Sequence, residues 1–82
     1  MSRWEKNLEK MRRNSRDWRI DDLEVVANKL GMMVHKGSGS HVVFRHSKAT
    51  MALSVPAHRP IKPIYVQQFL IMVDELVGNN DE

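Results

Sequence analysis

Three short apolar segments follow one another closely in the middle of this chain, and their spacing constrains the fold more than any other feature. They span residues 32–36, 41–46 and 51–55, and each has the length and the Val, Met or Phe content of a single strand. Residues 37–40 and 47–50 connect them. Because a parallel crossover needs about a dozen residues or more, these short connections predict an antiparallel three-stranded meander.

Helical patterns flank this strand region on both sides. Apolar side chains at helical spacing predict an amphipathic helix over residues 3–14, which docks on the core or on a second chain: Trp4, Leu8 and Met11. A second helix is predicted to begin at an N-cap, Asp21, and to end before Gly31. Pro63 is suited to the first turn of a last helix, whose apolar face comprises Val66, Phe69, Leu70, Val73, Leu76 and Val77.

The predicted fold class is therefore α+β, with helices covering one face of a small antiparallel sheet and the other face open. Strand alternation assigns side chains to these faces. Phe44 is the obvious core residue of the second strand, so His41 and Arg45 are expected on the open face. A plain hairpin over residues 37–40 would pair Lys36 with His41, whereas a bulge at its glycines would shift that register.

The charge pattern favours a polyanionic partner. The chain has a net charge of +3, and no Asp or Glu occurs between Val25 and Val73, where all four histidines lie. It contains no cysteine, which excludes disulfides and thiolate metal sites. No apolar run approaches the length of a membrane span, and the charged N-terminal residues do not resemble a signal peptide. We expect a soluble, cytoplasmic protein that binds no membrane.

Several short motifs follow one another along about residues 21–77: Leu30-Gly31, residues 32–34, Gly39-Ser40-His41, Phe44-Arg45-His46, Val55-Pro56-Ala57-His58 and Lys62-Pro63. In this order they resemble the HicA toxin family. Many members of the family have a second histidine directly after the Gly-Ser-His motif, where this chain has Val42. That position is expected to face the core, so its replacement leaves the open face unchanged.

The resemblance implies a fold like that of double-stranded-RNA-binding domains, here with an extra N-terminal helix. It also implies an mRNA interferase that is neutralised by a HicB-type antitoxin, with His41 as the catalytic histidine. On this basis the chain divides into an N-terminal helical extension, residues 1–20, and a HicA-like domain, residues 21–82. A homodimer and a toxin–antitoxin hetero-oligomer both stay open.

RNA carries its own nucleophile, the 2′-OH, so cleavage requires proton transfer and stabilisation of the phosphate. Histidine can exchange a proton near neutral pH, and we expect His41 to do so while Lys36 and Arg45 hold the phosphate. Further candidate substrate contacts are Ser40, His58 and Arg59. A serine in a glycine-rich loop such as Ser40 more often has a plain turn role, and His35 and His46 are interpreted as structural.

No metal ion or other cofactor is expected, because no carboxylate lies near His41 in the sequence. Two other function classes stay open. One is a non-catalytic module that grips RNA through its shape and phosphates. The other is a protein-interaction domain whose basic open face binds an acidic partner.

Overall fold

Three helices and one three-stranded antiparallel sheet make up the part of the chain that the structure, a computed structural model, describes: residues 2–37 and 39–78. The elements are α1 (Arg3–Arg13), α2 (Ile20–Lys29), β1 (Met33–Lys36), β2 (His41–Arg45), β3 (Leu53–Pro56) and α3 (Pro63–Gly78). The strands lie in the order β1-β2-β3 and pair antiparallel. This confirms the α+β class and the meander. No helix within the described residues is long and apolar enough to cross a membrane.

The ends of α2 show how local sequence sets its limits. Its N-cap is Arg19, whose backbone N–H donates to Asp22 Oδ2 at 3.1 Å, so the predicted N-cap, Asp21, is wrong. The reason is that the Asp22 carboxylate accepts a hydrogen bond from the backbone three residues earlier, which is the geometry of a capping box. The N-cap therefore lies at Arg19, earlier in the chain than Asp21. At the other end Gly31 has a φ of +77°. Its position after the helix is confirmed, because glycine adopts this left-handed conformation without strain.

One hydrophobic core lies between the sheet and the helices. Phe44 of β2 and Phe69 of α3 are fully buried and meet edge to face, with 5.3 Å between their ring centroids. α2 contacts β1 and α3 contacts β3, so the helices cover one face of the sheet as predicted. The predicted apolar face of α3 is wrong at Val77, which is 43% exposed because it lies outside the buried stripe.

Helix α1 docks on the core of its own chain. Met11 is 1% exposed, and Trp4 and Leu8 pack against the buried cluster. The Arg12 guanidinium donates to both carboxylate oxygens of Asp74 on α3, at 2.6 and 3.4 Å. This docking is one of the two outcomes that the sequence left open, and it makes α1 part of the same packed unit as α2 and α3. The predicted domain boundary at residue 20 stays a prediction.

The first turn of α1 is fixed by its own capping contacts. The backbone N–H of Ser2 donates to Glu5 Oε1 at 3.0 Å, and the Ser2 hydroxyl donates to the same oxygen. These hydrogen bonds, the backbone one first, lower the pKa of the Glu5 carboxyl. A negative charge here also suits the positive end of the helix dipole.

The segment between α1 and α2 is tied to the loop that follows β3. Ile61 is fully buried, and its backbone N–H donates to the Trp18 carbonyl at 2.8 Å in an isolated antiparallel bridge. The Trp18 indole N–H donates to the Asn14 carbonyl at 2.7 Å. This contact places the residues before α2 beside the loop that carries His58 and Arg59.

Substituting Met11 tests whether α1 belongs to the core. Because Met11 is buried, Met11→Ala is expected to lower the free energy of unfolding by about 2–5 kcal/mol, whereas Met11→Leu conserves volume and should cost less than about 1.5 kcal/mol. Urea denaturation followed by circular dichroism measures both. Equal stability of Met11→Ala and wild type would show that α1 does not pack on the core in solution.

Candidate functional site

The register between β1 and β2 determines which side chains share the open face. Lys36 pairs with Val42, and His35 pairs with Val43. The pairing of Lys36 with His41 that a plain hairpin would give is therefore wrong, and the register is shifted, which is the alternative that the sequence left open. The turn takes one residue more on the β2 side than a plain hairpin would, and within it Gly39 adopts a left-handed φ of +80°. Ser38, also in this predicted loop, lies outside the described residues. His41 pairs instead with Pro56 of β3.

Val43 lies at the centre of the open face and is half-buried. His41 and Arg45 flank it along β2, and the cross-strand partners of Val43 are His35 on β1 and Ser54 on β3. Residues two apart on a strand are separated by roughly 7 Å. Four polar side chains therefore surround one apolar residue on an open, solvent-facing surface.

His41 and Arg45 lie where strand alternation predicts them. Both are exposed, while Val42 and Phe44 between them are buried. No carboxylate belongs to this face in β1, β2 or β3, because these three strands contain no Asp or Glu. The face thus presents an imidazole and a guanidinium without an anion from the sheet to neutralise them.

Lys36 lies on the other face. Its register partner Val42 is a core residue, and Lys36 Nζ lies 3.5 Å from Glu24 Oε2 on α2. This contact is an ion pair and not a hydrogen bond, since that carboxylate oxygen has no hydrogen-bond partner. The expectation that Lys36 shares a phosphate with Arg45 on the open face is therefore contradicted. A shift of one residue in register moves a side chain to the opposite side of the sheet.

From the sequence alone His35 is interpreted as structural, and the register shows that it shares the open face with His41. It is exposed, and its register partner Val43 places it on the open face. As a diagonal neighbour of both His41 and Arg45, it lies about 7–8 Å from each in the usual geometry of antiparallel pairs. The signal was present in β1 itself. Val34 is the β-branched residue that packs against the core, so its neighbour His35 must face outward.

His46 has the structural role that was predicted. It is half-buried, its Nδ1 accepts the backbone N–H of Lys48 at 3.0 Å, and its Nε2 lies 3.8 Å from where a side chain on Gly31 would begin. It directly follows β2 at a position that, by strand alternation, lies on the core side of the sheet and not on the face of His41. Among the described residues, no group of three or more His, Asp or Glu side chains is arranged to hold a metal ion.

The remaining predicted site residues lie at the His41 end of the sheet. The Ser40 carbonyl accepts the Ala57 N–H at 2.6 Å, which extends the register of β2 and β3 by one pair. His58 follows directly and is exposed. Next to it, Arg59 lines a small cleft of about 280 Å³ with Asp17, Arg19 and Pro60. Ser40 and His58 thus lie at the end of the sheet where His41 begins β2, Arg59 lines the neighbouring cleft, and Lys36 lies on the other face of the sheet.

Comparison with known proteins identifies the family. A family model described as the HicA toxin of bacterial toxin-antitoxin matches residues 20–72, well over half of the chain. No curated protein and no solved structure matches. The chain belongs to the HicA toxin family, so it is a toxin of a toxin-antitoxin system with an antitoxin partner, and the membership supports a nuclease activity in general. The matched region begins at the first residue of α2 and includes the whole sheet.

Nuclear Overhauser contacts between β1 and β2 test the register. We expect cross-strand contacts between the backbone protons of His35 and Val43, because these residues lie directly opposite each other. A plain four-residue hairpin would instead bring Lys36 opposite His41. Contacts of that second kind would return Lys36 to the open face and remove His35 from it. The His41→Ala variant provides material for this measurement if the wild-type toxin arrests growth.

Proposed function

We propose that this toxin is a metal-independent endoribonuclease that cleaves mRNA, with His41 as its catalytic histidine. The observation that carries the proposal is the exposed pair of His41 and Arg45, which flank Val43 on a sheet face whose strands supply no carboxylate. An RNA strand is the polyanion that such a face suits, and it brings its own nucleophile. The toxin family in which the chain falls supports the same reading.

The cleavage is an internal phosphoryl transfer. The 2′-oxygen bonds to the adjacent phosphorus as its proton leaves, and the bond from phosphorus to the 5′-oxygen breaks as that oxygen gains a proton. The products are a 2′,3′-cyclic phosphate and a 5′-hydroxyl. His41 exchanges one of these two protons, because imidazole works as acid or base near neutral pH. Arg45 neutralises the charge that builds on the phosphate oxygens, where its planar fork of donors fits two of them.

Metal independence is inferred from the side chains available. Metal-dependent nucleases hold their ions with carboxylates and direct them at the phosphate. On the open face, the donors near His41 are imidazole and guanidinium groups, and a guanidinium repels a metal ion. The carboxylate that contacts Lys36 of β1, that of Glu24, lies on the helix side of the sheet.

Further RNA contacts are proposed at the end of the sheet where β2 begins. Ser40, His58 and Arg59 lie there on connected backbone. We propose that they bind phosphates next to the one that is cleaved. Lys36 has no role in this proposal, because its side chain lies on the helix side with Glu24.

Inhibition by a HicB-type antitoxin is proposed to occur by covering the open face. His41, His35 and Arg45 are all exposed, so any partner seated on this face would block access to RNA. An antitoxin that presents carboxylates there would supply the anions that the sheet lacks. The resulting assembly is a toxin–antitoxin hetero-oligomer in the cytoplasm, where mRNA is available.

Incubating the purified toxin with a defined mRNA in EDTA tests the proposal. We expect wild type to cut the RNA and to leave 2′,3′-cyclic phosphate ends, while His41→Ala lowers the rate at least about 100-fold through loss of proton transfer. Mass spectrometry of the fragments identifies the ends. Cleavage that stops in EDTA and returns with a divalent cation would contradict metal independence.

The same experiment separates an enzyme from a binding module. His41 is exposed, so its removal should leave the circular dichroism spectrum unchanged, and His41→Ala should still shift the RNA in a gel. Intact RNA with both proteins, together with a retained shift, would instead indicate a non-catalytic RNA-binding module. Growth arrest by wild type but not by His41→Ala would give the matching result in cells.

Arg45 is expected to contribute one phosphate contact. In the His41→Ala background, Arg45→Ala should weaken RNA binding and reduce the slope of log affinity against log salt by about 0.7 for a single-stranded RNA. Arg13→Ala is the matched control, because Arg13 is 76% exposed and lies on α1, in the helical layer. Fluorescence anisotropy at several salt concentrations measures both. Equal slopes for the two variants would remove Arg45 from the RNA interface.

A further inference from the structure

We infer that His35 is the second proton-transfer group of this active site, acting on the opposite side of the scissile phosphate from His41. The inference rests on the proposed function, because it adds a second residue to the same reaction. Internal cleavage of RNA moves two protons, one from the 2′-oxygen and one to the 5′-oxygen. A single imidazole serves both only in turn, whereas two imidazoles serve both within one transition state.

The strand register provides the first support. His35 and His41 lie on adjacent strands, on the same face, and diagonally across Val43. Diagonal neighbours in an antiparallel pair have a separation of about 7–8 Å. Two strand positions at this separation leave room for a phosphate group between their imidazole rings, so that each ring can approach a different oxygen.

The glycine that follows His35 provides the second support. A Cβ atom placed on Gly37 would lie 4.0 Å from both Cδ2 and Nε2 of the His35 ring. The imidazole therefore leans along β1 toward the turn that precedes His41, and no side chain at Gly37 stands in its way. This places the ring at the His41 end of the open face and not at its opposite end, near Met33.

The charges around His35 suit a phosphate ligand. The titratable and charged groups that share the open face of the sheet with it are His41 and Arg45, and the third strand contributes the neutral Ser54 to this face. The ion pair of Lys36 and Glu24 lies on the reverse side. No carboxylate from the strands engages the imidazole, so its N–H groups are available to the RNA.

Two imidazoles complete the reaction with a balanced exchange of protons. The neutral ring takes the proton of the 2′-OH as the 2′-oxygen bonds to phosphorus. The protonated ring gives its proton to the 5′-oxygen as the bond from that oxygen to phosphorus breaks. The two rings end with their protonation states exchanged, and water restores them between turnovers. The side chain of Arg45 holds the non-bridging oxygens meanwhile.

His35→Ala tests this role on the mRNA that the wild-type toxin cleaves. We expect kcat to fall about 100-fold with KM within about 3-fold of wild type, because proton transfer is lost and substrate binding is retained. The dependence of kcat on pH should lose one limb of its bell shape. Added imidazole should restore part of the rate, since the exposed position leaves room for the free base.

The possible results separate this inference from the proposed function. If His41→Ala abolishes cleavage while His35→Ala keeps the wild-type kcat and pH profile, His35 has no part in the chemistry and the inference alone fails. A higher KM with an unchanged kcat would likewise overturn it, because this result would make His35 a binding contact. Wild-type protein that cuts no RNA would overturn both. His35→Gln, which keeps a polar side chain without its proton exchange, should match His35→Ala in kcat if the inference holds.

Discussion

The pairing of β1 with β2 is the constraint on which the functional surface depends. Because side chains alternate between faces along a strand, a shift of one residue in this pairing would exchange every side chain of β1 between the core and the solvent. The observed register packs Val34 against the core, pairs Lys36 with Val42, and turns His35 outward beside Val43. The packing of Val34 against the core excludes a shift of one residue, and Gly39 takes a left-handed φ within the turn that joins the two strands.

The difference between what could and could not be predicted follows from the same alternation. The parity of β2 is fixed by Phe44, whose burial is evident from its type, so His41 and Arg45 were assigned correctly to the open face. The side chains of β1 were assigned to faces by counting residues across the turn from β2. Such a count through a glycine-rich turn carries no information about packing. For this reason the plain-hairpin register assigns Lys36 to the open face and His35 to the core side, the reverse of what the structure shows. The end of α2 was predictable because Gly31 adopts the left-handed conformation that follows a helix. Its start was not, because the N-cap depends on a hydrogen bond from the Arg19 backbone to the Asp22 side chain.

Residues 2–19, which precede the region matched by the family model, pack against the core of the domain. The family match begins at residue 20, yet Met11 is as buried as the central residues of the sheet and Arg12 spans to Asp74. Small domains leave a large part of their surface exposed, so a third helix adds core that a sheet with two helices lacks. The bridge between Trp18 and Ile61 also fixes the loop that carries His58 and Arg59. Support for the site thus comes from residues that never touch the substrate.

The proposed active site lies on an open sheet face, and this placement has consequences for both activity and control. His35, His41 and Arg45 are exposed, so the face can accept an RNA strand without a lid or a domain movement, but it also excludes little water. Charge stabilisation in such a site relies on a strong, fixed donor, and this favours arginine, with its rigid fork, over a flexible lysine. In the proposed mechanism, nothing in the open face itself would restrain the enzyme, so control would come from a partner that occupies this surface. A face without carboxylates in its strands would offer that partner the same electrostatic attraction that it would offer RNA. Substrate and inhibitor would then compete for the same surface through the same electrostatic attraction. To displace RNA, the antitoxin would therefore need better shape complementarity to this face as well as complementary charge.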